Sequence, residues 1–450
     1  MDQSPEKLLE SKTAEIIRTT VERAGEILPE MKVLYIDFHE NPELGGQEIE
    51  TSKKIIAYLE SLGIEILGSE IGLEKKGKDG EQISTGTGVV AVVRGLDSSR
   101  SVALRADMDA LPVQEDSKNP VKSKIDGAMH GCGHDIHTAA LLGTAKLLKE
   151  LSNKGELPID VKLMFQPSEE KTFQKESGAV QMVKFMERSG VRDNIEAVFG
   201  QHVISLYERG QVNVKEGIQS ASSGEIDITL KTKGGHVMNV YEQPSLNRIF
   251  SEINTRLYDL FEPLYKENQS IIANTRTDFP KGGYNVLPAE GSSTWVVRIS
   301  SEMYKSVSKE VLGKIKTVVN EVVEKYSDRD VSVDIKPRPG YRPIVHRDPT
   351  LVSMVRNSAK EVIEDVKLTS DFMPAGEDIS FYFEELRGKQ IPGVFVMVGG
   401  ANKSKDIPIV AHHAPNFRVD PDVMQEMSAL HVAMVLNYTE THKEAPAETR

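Results

Sequence analysis

Three apolar runs in the first half of the chain deliver acidic or imidazole side chains at their C-terminal ends: SVALRADM (101–108), IDVKLMFQPSEE (159–170) and AVFGQHV (197–203). Runs of this kind, bounded by turn residues, read as buried strands. TGTGVVAVVRG (85–95) reads as a strand adjacent to the first of them, and Asp135 to Leu148 as an apolar helix. Residues 5 to about 63 read as helical, with a break at HENPELGG. Strands alternating with helices predict a mostly parallel sheet covered by helices on both faces. Such a sheet binds ligands beyond the C-terminal ends of its strands. Asp107, Glu169, Glu170 and His202 all fall there.

The texture changes near residue 221. SGEIDITLKTKGG alternates as a half-buried strand, SLNRIFSEINTRLYDLF is an amphipathic helix, and SIIANTRT and SSTWVVRIS are strands. A long helix through SEMYKSVSKEVLGKIKTVVNEVVEKY and a last strand, DVSVDIK, complete a βαββαβ order, the ferredoxin-like pattern of a compact α+β module. After PRPGYRP the apolar α/β texture resumes. The expected organisation is a catalytic α/β domain formed by 1–220 and 339–450, interrupted by an inserted α+β domain at 221–338.

Composition excludes several classes of function. The chain of 450 residues has a formal net charge of −13 and no long Lys/Arg block, which argues against a nucleic-acid partner. No run approaches the length of a membrane span. The start, MDQSPEKLLESKT, lacks the apolar stretch of a signal peptide, so a soluble cytoplasmic protein is expected. The final THKEAPAETR is polar and expected to fray.

One cysteine forbids an intrachain disulfide framework. It is Cys132, in GAMHGCGHDIHTAALLG (127–143), among His130, His134 and His137. In an extended Cys-Gly-His the thiolate and imidazole of Cys132 and His134 point the same way. The helix that follows favours a thiolate through its N-terminal dipole. Thiolate plus imidazole suits zinc or another borderline transition metal. Two alternatives stay open: Cys132 as a buried small hydrophobe, and Cys132 as a nucleophile paired with a histidine. In QPSEE the adjacent Glu169 and Glu170 can divide labour, one holding metal while the other takes a proton from water. His202 in FGQHV, with His412 and His413 in VAHHAPNF, brings the donor count beyond what one zinc ion needs. Two metals are therefore expected.

These segments resemble the M20 family of metallopeptidases, in its amidohydrolase branch of hippurate hydrolases, N-acyl-amino-acid amidohydrolases and indole-acetyl-amino-acid hydrolases. FHENPELGGQEIETSKKI, LRADMDALPVQE, GAMHGCGHDIHTAALLG, FQPSEE, FGQHV, GGH, NVLP, GEDIS and HHAPNF follow in family order. The resemblance implies Cys132 as a bridging metal ligand, with His134, Glu170, His202 and His413 as the others. In the family the ligand histidine lies two residues before a proline, so with Pro415 the resemblance implies His413 rather than His412. It implies Glu169 as general base and Asp107 as the catalytic-set aspartate that orients a neighbouring group. The inserted module is similar to a lid and dimerisation domain, whose His236 reaches a partner's site and polarises the scissile carbonyl. Asn285 and Arg298 match positions that meet the substrate's carbonyl or carboxylate. Glu377 and Asp378 match the GEDIS motif, where Asp378 is also expected as a helix cap.

The implied activity is hydrolysis of the amide in N-acyl amino acids or short peptides with a free α-carboxylate. The implied cofactors are two divalent ions per chain: zinc first, with manganese, cobalt or nickel open. A homodimer or larger homo-oligomer is the expected assembly. Carboxypeptidase or dipeptidase action on unblocked peptides is the alternative, followed by a metal-binding relative without turnover. KTFQKESGAV after QPSEE, and VMNVYEQPSLNR after GGH, depart from the family near the expected substrate cleft.

Overall fold

The computed structural model describes residues 5–72, 74–76, 82–84, 86–116, 118–171, 177–383, 385–386 and 389–442. Much of the departing KTFQKESGAV segment and nearly all of the C-terminal tail lie outside the described residues. The principal strands are β1 (Glu65–Ile71), β2 (Gly88–Val93), β3 (Asp97–Asp107), β4 (Ile159–Gln166), β5 (Ile195–Glu208), β6 (Gln211–Asn213), β7 (Gly224–Lys231), β8 (Ile271–Asp278), β9 (Glu290–Arg298), β10 (Ser332–Pro339), β11 (Lys367–Thr369) and β12 (Gly393–Ala401). The helices are α1 (Pro5–Glu40), α2 (Ile49–Ser61), α3 (His134–Asn153), α4 (Gly178–Arg188), α5 (Leu246–Asn268), α6 (Tyr304–Glu324), α7 (Pro349–Val362) and α8 (Val423–Thr441).

Eight strands form one sheet in the order β1-β2-β4-β3-β5-β12-β6-β11. Its centre, β4-β3-β5-β12, is parallel, and the flanking pairs β1-β2, β2-β4 and β12-β6 are antiparallel. The strand expected to lie beside β3 does not pair with it: β4 separates β2 from β3. Each central strand is buried on both faces, and alternation along it feeds two cores. Val102 and Leu104 of β3 pack with α1, α3, α7 and α8, while Ala103 turns to the face that carries Met182 of α4. Burying each such aliphatic side chain contributes roughly 1.5–3 kcal/mol, which fixes the register of the sheet. Helices cover both faces, as the strand–helix alternation predicts.

The βαββαβ segment forms its own antiparallel sheet, β8-β9-β7-β10, with α5 and α6 on one face and a separate core around Trp295. The two chain segments that enter and leave it bond to each other: Ser223 N to Tyr341 O at 2.9 Å, and Gly340 N to Ser223 O at 3.1 Å. Among the described residues no helix is long and apolar enough to cross a membrane.

Candidate metal centre

Toward the C-terminal ends of the central strands, Asp107 (the last residue of β3), Gln166 to Glu170 (the end of β4 and the turn after it), His202 (within β5, which runs on to Glu208) and the start of α3 converge with the 410–417 loop. Cys132 Sγ lies 3.5 Å from His202 Nε2 and 3.5 Å from His412 Nδ1. His413 Nε2 is 3.2 Å from Glu170 Oε1. Ligand atoms of Cys132, His134 and His202 lie within 4.8 Å of one another; so do those of Cys132, Glu170 and His413, and of His134, Glu169 and Glu170. The first two sets share Cys132.

The Cys-Gly-His segment is not extended. Gly133 has φ +86° and caps α3, and a Cβ there would sit 2.5 Å from Val203 Cγ1. Only glycine meets both demands. His413 holds φ +64°, a left-handed value rare outside glycine, and its amide donates to Gly131 O at 2.8 Å.

Hydrogen bonds sort the imidazoles into those free to bind an ion and those already committed. His134 donates from Nδ1 to Asp109 O at 2.9 Å, and its buried Nε2 has no hydrogen bond among the described residues, with Asp107 Oδ2 3.7 Å away. His202 Nδ1 lies 2.7 Å from Val203 O, leaving Nε2 toward Cys132. His137 accepts the Val203 amide at Nε2 (2.8 Å), so its ring proton is on Nδ1, facing Asp107. His412 accepts the Ser205 amide at Nε2 (3.2 Å), so its Nδ1–H points at Cys132 Sγ. Neither His137 nor His412 keeps a lone pair for a metal. His412 is thus committed to Ser205 and Cys132, whereas His413 Nε2 faces Glu170 Oε1.

The electrostatics call for positive charge. Burial raises Glu169 well above the usual carboxylate range, and Glu377 and Glu170 add to it. Burial also pushes the Cys132 thiol up, with help from Glu170 and Glu169. The helix dipole expected to favour a thiolate is outweighed, which counts against a metal-free cysteine nucleophile. Burial alone would lower His134, but Asp107 and the bond to Asp109 win and bring it to about 10. Burial holds His202 well below its ordinary value, as a neutral ring suited to coordination. Glu170 Oε1 is buried without a hydrogen bond among the described residues. A buried imidazole nitrogen without a hydrogen bond, a carboxylate oxygen facing the His413 ring and a thiol amid carboxylates form a donor set that fits divalent cations.

Beneath this cluster lies a support that sequence reasoning did not single out. Arg105 is fully buried and bonds Asp107 at 2.6 Å, Asp378 at 2.8 Å and Gln166 at 2.9 Å, with Glu377 3.0 Å away. Arg105, with His134 and His137, outweighs the burial penalty and keeps Asp107 well below the usual carboxylate range. Asp378 is not the cap of its own helical turn. Gln166, Ser177 and Arg105 hold its carboxylate, which also accepts the Ala179 amide at 3.2 Å in the first turn of α4. The cap of residues 378–381 is Glu377, which accepts the Ile379 amide. Arg105, two residues before Asp107, could have signalled this, since an arginine inside an apolar strand run demands buried carboxylates.

The three residues expected from the inserted module divide into two places. Arg298 Nη1 is 2.9 Å from where a Cβ on Gly376 would lie, so it packs beside Gly376 and Ser223 at the edge of the cluster. Burial lowers its pKa, while Tyr341, Glu225 and Glu169 oppose that. His236 and Asn285 sit together on the module's surface, with Nε2 to Nδ2 3.2 Å apart. His236 is exposed and Asn285 half-exposed.

The pattern of peptidase family M20/M25/M40 matches residues 103–437. N-acetylcysteine deacetylase of Bacillus subtilis (strain 168) is 31% identical over 411 residues, covering 90% of this chain and 96% of that protein. Thermostable carboxypeptidase 2 of Saccharolobus solfataricus is 29% identical over 403 residues, covering 89% of this chain and 93% of that one. The crystal structure of the Bacillus subtilis YXEP protein, described as a dinuclear metal binding peptidase from the M20 family, superposes with a TM-score of 0.70 at 27% identity, covering 93% of this chain and 100% of that one. The chain belongs to peptidase family M20/M25/M40 and is a metal-dependent hydrolase of amide or peptide bonds.

Proposed function

We propose that the protein hydrolyses the amide of N-acyl amino acids, or of short peptides with a free α-carboxylate, at a centre of two divalent ions. The observation that carries this reading is the pair of donor sets that share Cys132: Cys132, His134 and His202 on one side, and Cys132, Glu170 and His413 on the other. Cys132, His134, Glu170, His202 and His413 would hold the two ions, with Cys132 common to both donor sets. A thiolate and three imidazoles favour zinc over harder ions.

Bound ions of this kind acidify a water and polarise the scissile carbonyl. Glu169 takes the proton from the attacking water and hands it to the leaving amine nitrogen, so that one carboxylate and one amine are released. Asp107 is a positioning residue: it holds His137, which in turn takes the Val203 amide beside His202. Arg298 receives the α-carboxylate. Residues 221–338 act as a lid and dimerisation domain inserted between the catalytic segments 1–220 and 339–450. His236, with Asn285, donates to the oxyanion from a second copy of the chain. The exposure of Met238 (82%) and Tyr241 (89%) beside that pair supports a surface that another copy covers.

The similarity to a carboxypeptidase supports a second reading, action on unblocked peptides. Both readings are tested by elemental analysis of the purified protein and hydrolysis of N-acyl amino acids and dipeptides before and after chelation. Close to two ions per chain, with chelation abolishing hydrolysis and metal restoring it, is expected. Hydrolysis without metal would return Cys132 to the nucleophile role.

A further inference from the structure

The N-terminal motif HENPELGGQE takes no part in the chemistry above, yet it closes around the turn that carries Glu169. Leu44 bridges Ala110, and the Ala110 amide donates to Glu43 O at 2.8 Å. The chain then runs over Ser168. A Cβ on Gly45 would lie 3.0 Å from Asp109 Oδ2 and 3.3 Å from Ser168 Cα, and one on Gly46 would lie 3.1 Å from Lys171 Nζ. The two glycines therefore allow the loop to press against the turn without displacing it.

Two carboxylates hold that turn. Glu48 Oε1 accepts the Ser168 amide at 2.9 Å, and its Oε2 accepts the Thr87 hydroxyl at 2.7 Å. Asp109 Oδ1 accepts the Glu169 amide at 3.1 Å and Oδ2 the Glu170 amide at 3.0 Å. Glu48 is 0% and Asp109 1% exposed, so water does not compete for these bonds. Ser168 stands at φ +54°, which a non-glycine residue keeps only when its surroundings enforce it. From the other side the Tyr341 hydroxyl donates to Glu169 O. The same Asp109 takes the His134 Nδ1 proton.

We propose that Glu48 and Asp109 are positioning residues that grip three consecutive amides, Ser168 to Glu170, and so set the reach of the general base relative to the ligands His134 and Glu170. The proposal rests on Glu169 being the base. A backbone amide can only donate, so each oxygen that grips one must remain an acceptor. Glu48→Gln keeps one such oxygen for Ser168, because its amide nitrogen can face Thr87, whose hydroxyl also accepts. Asp109→Asn cannot keep both, because one of its two positions becomes a donor facing a donor. Glu48→Leu removes the grip while preserving volume.

The test compares Glu48→Gln, Glu48→Leu, Asp109→Asn and Glu169→Gln in the metal-loaded full chain, reading metal stoichiometry, kcat, KM and amide exchange in the peptide covering 166–171. Displacing a catalytic group by about an ångström costs on the order of 100-fold. Glu48→Leu is expected to lower kcat by about 10- to 100-fold on that scale, with KM and metal content held and exchange at 166–171 faster. Glu48→Gln is expected to recover most of the loss. Asp109→Asn should lose kcat and weaken metal retention together. A Glu48→Leu protein with wild-type kcat and exchange, or a loss explained by metal content alone, overturns the proposal. Should Glu48→Leu fail to fold, Gly45→Ala pushes the same turn by a single methyl and carries the same expectations. A fully active Glu169→Gln variant would instead remove the base assignment, an outcome visible in that variant only.

Discussion

The buried cluster at the strand ends and the His236–Asn285 pair on the inserted module are built on opposite terms. In the first, Asp107, Asp109, His134 and Glu169 are almost wholly buried, and nearly every neighbour is fixed by a hydrogen bond from a strand end or a helix start. In the second, among the described residues, the side chains of His236 and Asn285 bond each other and His236 accepts the Met238 amide, amid exposed apolar side chains. The contrast is between a cluster held rigid by its own chain and a pair of polar side chains left at the surface.

The comparison breaks most sharply at Cys132. Cys132→Ala should lose bound metal and with it all measurable turnover, whereas Cys132→Asp should keep metal because a carboxylate also bridges. Elemental analysis of both variants checks this, and full metal content in the alanine variant would contradict it. At the exposed pair, His236→Ala should lower kcat by roughly 100- to 1,000-fold, the usual cost of one oxyanion donor, with metal content unchanged. Co-assembly of His236→Ala with Glu169→Gln chains then tells whether the donor comes from another copy. Mixed dimers carry one complete site, so activity of about a quarter of wild type should return on random pairing in a two-fold dimer. No recovery would place His236 in its own chain's site.

Arg298 stands between the two regions. Arg298→Leu should raise KM about 10- to 100-fold for substrates with an α-carboxylate, in line with a charged hydrogen bond, and leave an amide-blocked substrate unaffected. The smallest effect concerns His39, buried between Asp135 at 2.6 Å and Glu115 at 3.1 Å. Burial disfavours its charge, but those carboxylates prevail and raise it from 6.5 to about 10. A raised value means that the stabilisation is complete below pH 6.5 and fades as pH climbs to about 10. Thermal unfolding should therefore fall across that window in the wild type, and His39→Gln should flatten the fall.

Much of this was legible in the sequence where local pattern carries the information. Apolar periodicity placed the strands, the helices and the βαββαβ order, and the strand-end rule gathered Asp107, Glu169, Glu170 and His202. What escaped was set by contacts distant along the chain. That β4 lies between β2 and β3 depends on pairing, which no local pattern encodes. Arg105 looked like part of a strand, yet its partner Asp378 is 273 residues away. The left-handed Gly133 and the crowd of carboxylates around Cys132 likewise come from packing, which reversed the expected direction of the thiol's pKa. The HENPELGGQE motif was visible as a signature, but its grip on Ser168 required the fold.

The central claim is that Glu169 transfers the proton at a centre of metal ions held by the five ligand residues. The most direct test measures metal content and turnover of wild type and Glu169→Gln side by side on the best substrate of the acyl-amino-acid panel. The account predicts close to two ions in both proteins and a fall of about 100- to 10,000-fold in kcat for the variant, the range of general-base catalysis. A Glu169→Gln protein that keeps its metal and turns over at the wild-type rate would contradict it.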